Sequence, residues 1–215
     1  MNLKHEHNKL FQALEFVTSL VQLNVVFLLS ILPVITLFPA LYALHAVTRQ
    51  WSVNQDYSVF RAYFRFFNEG VRRHYKLGVA WTLFVFVLLI DFLLIRQIDT
   101  GQTILFTGLF VIGFVFTSLS LFLFPILTHY EMKTMDALKL ALFSIMRYGY
   151  IVVLALLLFT ALGMLAYRSP LYLLFGFSFI VFLMTKLYLH QLDRAIMNRH
   201  VTSSLHETNP SSICD

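Results

Sequence analysis

Between Leu77 and Ile95 the chain runs for nineteen residues with a single charge, Asp91, and four other stretches share that character: 16–37, 103–124, 150–167 and 171–188. A hydrocarbon core about 30 Å thick is crossed by about 20 apolar residues of helix. In lipid a backbone must satisfy its own hydrogen bonds, so a run of this kind is expected as a transmembrane helix. Composition agrees, with 59% hydrophobic and 13% charged residues and a mean hydropathy of +0.75. A soluble domain is nearer half apolar and a quarter charged. The expected fold class is therefore all-α, a polytopic transmembrane helix bundle of about five spans. Residues 1–195 form one integral membrane domain and 196–215 a flexible polar tail.

The 16 Lys and Arg exceed the 11 Asp and Glu, but they lie between apolar runs and not in one stripe across a soluble face. That pattern fits membrane topology better than nucleic acid. The one cysteine, Cys214, rules out a disulfide framework within a chain. About fifteen mixed residues precede the first apolar run, and no small-residue cleavage site follows it, so that span is expected to be retained. His5 and His7 lack the further ligands zinc requires and read as part of a solvated terminus.

The connection from Thr36 to Lys76 holds the most information. Thr36 reads as the N-cap of a new helix with Pro39 in its first turn. The run to Trp51 is expected either to continue the first span past a kink or to lie in the headgroups, anchored by Tyr42, Arg49 and Trp51. Ser52 and Gln55 have the form of a capping box at a turn. Phe60, Tyr63, Phe64, Phe67, Val71 and Tyr75 then recur at intervals of three and four, one face of an amphipathic helix over 57–75. Arg61, Arg65, Arg72 and Arg73 fall mainly on its other side. Such a helix suits a membrane surface rich in anionic headgroups or a docking partner.

The same plan returns later in shorter form. Leu37-Phe38-Pro39-Ala40-Leu41 is matched by Phe124-Pro125-Ile126-Leu127, each read as ending a span. A second amphipathic helix over 135–148 carries Met135, Leu138, Leu142, Ile145 and Met146 on its apolar face. Together these make a parallel internal repeat, with Pro33, Pro39 and Pro125 as the expected structural breaks. With five spans, twelve Lys and Arg lie on one side and four on the other, which puts the N-terminus outside and the C-terminus in the cytoplasm of a bacterial cell membrane. An alternative count treats 37–50 as a returning half-span and places the N-terminus inside.

Within the spans, Gln22 and Asn24 are expected to face neighbouring helices, and Gly108, Gly113, Ser118 and Ser120 to permit close approach. Asp91 and Arg96 stand five apart near the far interface, slightly off the best helical spacing for an ion pair, so the sequence permits a pair without specifying one. No catalytic, cofactor-binding or metal-binding set stands at useful spacing. His45, His129 and Glu131 lie near two span ends and are expected to be ordinary interface residues.

The chain resembles the YesL-like family of bacterial integral membrane proteins. The resemblance rests on 32–42, on Asp56, Phe60 and Phe64, and on Phe124-Pro125-Ile126-Leu127 with His129-Tyr130-Glu131, and it covers roughly residues 10 to 195. Phe38 stands where that family often has glycine. The resemblance implies a companion of carbohydrate uptake systems, encoded beside ATP-driven sugar (ABC) importers. The expected function is thus a non-enzymatic accessory or regulatory component of such a system, whose partners are the bilayer, anionic headgroups and importer subunits. A small-solute permease is the alternative.

Overall fold

A computed structural model describes residues 3–54, 58–97, 101–130, 133–169, 171–172 and 176–191, with backbone alone at 3–13, 34 and 54. Every regular element among them is helical. Helix α1 (Leu3–Ile31) ends before a bend at Leu32-Pro33 and a 3-10 turn (Val34–Thr36). Then follow α2 (Leu37–Asn54), α3 (Phe60–Arg73), α4 (Tyr75–Ile95), α5 (Gln102–His129), α6 (Thr134–Arg147), α7 (Gly149–Arg168) and α8 over 176–191. Among the described residues, Leu14–Ile31, α4, α5 and α7 are long and apolar enough to cross a membrane. Their outward faces are apolar too: Leu83, Phe86 and Leu93 on α4, Phe110 and Val115 on α5, and Val153 and Leu157 on α7 are all exposed. Large hydrophobic side chains turned outward along three such helices mark a surface solvated by lipid.

The centre of the bundle is a helix the sequence reading placed at its edge. Ala40, Ala43, Leu44 and Val47 of α2 are fully buried, and Trp51 is 2% exposed. Phe16 meets Trp51 edge-on at 6.0 Å, so α2 returns along α1. It neither continues the first span nor lies among headgroups, and Tyr42 and Trp51 are core residues, not interface anchors. Its course is that of the alternative count, a segment running back beside the first span. What hid it is its length: the run over 37–50 is shorter than the about 20 residues that cross a bilayer, so by itself it does not read as a helix returning beside the first span.

Other local expectations change in the same region. Thr36 stands directly before α2, but its hydroxyl turns back to the carbonyls of Ser30 and Pro33, each at 2.5 Å. Ser52 lies in the last turn of α2 and donates to the Thr48 carbonyl at 2.9 Å, so it opens no turn; Gln55 lies outside the described residues. Pro33 does follow the end of α1, and Pro39 sits in the first turn of α2, where its missing N–H costs nothing. Pro125 breaks nothing, because α5 runs through it to His129.

Helix α5 spans two surroundings. At 1.5 Å per residue its 28 residues measure about 42 Å, against about 30 Å of hydrocarbon. Residues 103–117 are mostly exposed, whereas 122–128 are all buried. The later part leaves the lipid-facing zone and packs among α2, α6 and α8: Phe38 touches Phe124 at 5.3 Å, Tyr188 meets Phe122 at 5.6 Å, and the Arg49 guanidinium donates to the Thr128 carbonyl. Protein on every side is what tolerates a proline there.

Small residues act at positions other than those expected. A side chain at Gly108 or Gly113 would meet nothing within 4 Å, while Cβ atoms at Gly70 and Gly78 would lie 2.9 Å from Tyr42 and 2.8 Å from Phe38. Phe38 therefore finds its glycine across the helix pair, on α4. Of the two amides in α1, Gln22 faces outward. Asn24 is fully buried and accepts from the Ser178 amide at 3.1 Å and hydroxyl at 2.8 Å, tying α1 to α8. Asn24→Leu strands both donors, and the loss expected in thermal unfolding of the detergent-solubilised protein is about 1 kcal/mol, in keeping with hydrogen bonds inside membranes. Arg96 lies over the Phe92 ring at 5.5 Å, a contact the spacing to Asp91 did not suggest.

The internal repeat takes a sharper form than the sequence motifs give it. Helices α3 and α6 have 14 residues each, and each ends on one non-helical residue from which an apolar helix starts. Those joints are His74 (φ −119°, ψ 25°) and Tyr148 (φ −120°, ψ 31°). The repeated units are α2–α3–α4 and α5–α6–α7. The two Phe-Pro motifs occupy different places in them, one opening α2 and the other lying four residues from the end of α5.

His74 is 6% exposed, and neither ring nitrogen has a hydrogen-bond partner. Burial holds its pKa below the usual histidine value, with Arg73 adding to the effect and Glu69 opposing it. An unfolded histidine takes up a proton below about pH 6.5, where this one still resists. Stability is therefore complete above that value and declines as the pH falls through it toward the folded pKa. The thermal midpoint should drop on acidification more in the wild type than in His74→Phe.

Candidate functional site

Helix α3 lies antiparallel on α2, with Gly70 against Tyr42 and the Arg65 guanidinium donating to Gln50 Oε1 at 3.2 Å. This seats Ala62, Tyr63 and Gly70 in the bundle. At 100° per residue, Phe60, Phe64, Phe67 and Val71 then form a neighbouring stripe, and Arg61, Arg65 and Arg72 a third. Phe60 is 55% exposed and Phe64 58%, Val71 is exposed, and Phe67 is half-buried. The aromatic face predicted from spacing is thus real, except that Tyr63 belongs wholly to the core.

The four predicted arginines are not equivalent. Arg61 and Arg72 are exposed. Arg65 is exposed as well, but its guanidinium stacks 4.6 Å above Phe66. Arg73 is drawn to Glu69 at 3.6 Å, whose Oε1 also accepts from the Tyr42 hydroxyl at 3.4 Å. Arg73 therefore serves the α2–α3 contact more than the outer surface. Asp56, part of the resemblance, lies outside the described residues, as does Glu131.

A second feature went unread in the sequence. A cavity of about 560 Å³ opens between α2, α4, α5, α7 and α8, walled mostly by apolar side chains with His45, Thr117 and Ser120 among them. Its size falls within the ~300–1,000 Å³ of small-molecule sites. His45 stacks on Phe124 at 5.5 Å with the planes 5° apart, whereas His129 packs edge-on against Tyr130 at 4.7 Å. A histidine four positions past Leu41 on a segment of small apolar residues was the one available signal, and it needed the burial of α2 to mean anything. Among the described residues, no three His, Cys, Asp or Glu side chains group as metal ligands would.

Comparison with known proteins connects this arrangement to relatives. The family described as "Protein of unknown function, DUF624" matches residues 20–92, the stretch that carries the later part of α1, all of α2 and α3 and most of α4. The chain is 30% identical over 169 residues to YesL of Bacillus subtilis (strain 168), covering 73% of this chain and 80% of that protein. It is also 30% identical over 151 residues to YteU of the same organism, covering 69% and 68% respectively. Both are described as uncharacterized proteins. No solved structure matches. With the helical bundle in place and the likeness extending over most of both chains, the protein belongs to the YesL-like, DUF624-containing family.

Proposed function

We propose that this chain is a non-catalytic accessory component of a bacterial carbohydrate uptake system, engaging anionic lipid and a subunit of an ATP-driven sugar importer through the outer face of α3. The carrying observation is that Phe60, Phe64 and Val71 stay exposed beside Arg61 and Arg72 while the opposite side of the same helix is buried. Exposed aromatic side chains next to arginine are the pairing that anchors protein interfaces and headgroup-level helices alike. The carbohydrate setting is supported by the family resemblance. The positive-inside bias supports a cytoplasmic α3 in the cell membrane.

A permease for a polar solute is the weaker reading. Its pathway needs polar groups at depth, and the cavity seen here is lined mainly by Leu, Val and Phe. Cross-linking in mild detergent, with the importer subunits co-expressed, tests the proposal. Wild type is expected to retain an importer membrane subunit, and Phe60→Ser with Phe64→Ser to lose it while keeping the same elution profile. Retention unchanged by that pair of substitutions, or substrate uptake by the purified protein in liposomes, would overturn it.

A further inference from the structure

We propose that α6 is an in-plane membrane anchor, its outer stripe of Met135, Leu142 and Met146 seated in the acyl boundary of one leaflet and its cationic flank among the lipid phosphates. In water a helix of this sequence would turn inward the apolar face that its periodicity gives it, Met135, Leu138, Leu142, Ile145 and Met146. The structure does the opposite. Ala137, Ala141 and Ser144 are the buried residues, packed against α5, and the Ser144 hydroxyl donates within its own helix to the Leu140 carbonyl at 2.8 Å. Met135 is 69% exposed and Met146 88%, with Leu142 exposed between them. Burying a side chain of this kind stabilises by about 1.5–3 kcal/mol, so a solvent other than water is what favours this rotation of the helix.

What adjoins the stripe identifies that solvent as lipid. Met146 is followed at intervals of three and four by Tyr150, Val153 and Leu157, all exposed on α7, a helix long and apolar enough to cross a membrane. The outward apolar surface of α6 therefore continues onto a face solvated by hydrocarbon. At 100° per residue, half-buried Leu138 and Ile145 close the stripe on the side of the bundle. Asp136, Lys139 and Arg147 form its other flank, with Phe143 among them, and all four are exposed. Lys133 adds a third cation directly before the first turn. An apolar stripe edged mainly by cations is the pattern of a helix lying at headgroup level. Lys139 stands nearest the stripe, and its stem is long enough to lift the ammonium to the phosphates. The anchor depends on the membrane fold alone and not on what α3 docks.

The full chain, with Cys214→Ser, carries a nitroxide on one introduced cysteine at a time in nanodiscs of phosphatidylcholine and phosphatidylglycerol. Oxygen concentrates in hydrocarbon and a neutral nickel chelate in water, so the ratio of their collision rates with the nitroxide reads depth. For Met135→Cys, Leu142→Cys and Met146→Cys the oxygen-to-nickel ratio is expected to be several-fold higher than for Asp136→Cys and Arg147→Cys on the flank, and to approach that of Val153→Cys on α7. Every substituted side chain is exposed, so the elution profile should stay that of the wild type. A ratio on the stripe no higher than on the flank would put that face in water and overturn the proposal. Slow collisions with both reagents would mean that a second copy of this chain covers the stripe, and would overturn it too.

Discussion

Replacing Gly78 with leucine is expected to abolish recovery of folded protein, while leucine at Gly113 leaves it intact. The first added carbon at Gly78 would sit 2.8 Å from Phe38 Cδ1 and 3.3 Å from its Cγ. Phe38 has no room to retreat: it is 1% exposed and its ring is held by Trp81 at 6.0 Å and Phe124 at 5.3 Å. Overfilling a packed site by a methylene or two costs about 1–3 kcal/mol, so alanine at Gly78 should already lower the thermal midpoint measurably. Leucine adds three further carbons to the same clash, enough to consume most of a total stability of about 5–15 kcal/mol. Size-exclusion profiles and thermal unfolding in one detergent decide the matter. Equal behaviour of the two leucine variants would show that the Phe38–Gly78 contact is not a fixed point of the bundle.

The second large effect concerns charge. Converting Arg61, Arg65 and Arg72 together to glutamine should weaken binding of short-chain phosphatidylglycerol to the detergent-solubilised protein by about a hundredfold. Each basic residue near an anionic surface contributes about 1 kcal/mol, and three sum to about 3 kcal/mol. Binding of the phosphatidylcholine analogue should not change, and added salt should reduce the wild-type preference. Arg73→Gln is expected to do much less, since Glu69 already engages that guanidinium. A triple variant that still prefers the anionic lipid, or an Arg73 variant that loses it, would contradict the division of roles along α3.

Much of this architecture could be read from the chain because lipid imposes a simple rule on length and polarity. The apolar runs 77–95 and 150–167 match α4 and α7 to within two residues at each end. The two amphipathic helices declared themselves by periods of three and four. Two kinds of information were not local. The first was the burial of α2, whose alanines and mid-helix His45 signal nothing until α1, α3 and α5 are packed around them. The second was which face of α3 would be spent on packing: Tyr63 and Phe64 are adjacent aromatics, yet one is fully buried and the other 58% exposed. The cavity arises where side chains from five helices fail to fill a space, a property of the assembly that no single segment encodes.

The paired joints at His74 and Tyr148 carry a mechanical consequence. Each surface-type helix is leashed to the apolar helix after it by a single residue, with no slack to absorb a displacement. A tug on α3, from a docked protein or a shift in the lipid it touches, passes straight into the first turn of α4. Two turns further along α4 stand Trp81 and Val85, so the outer helix and a wall of the interior chamber belong to one unbroken rod of chain, hinged at a single residue.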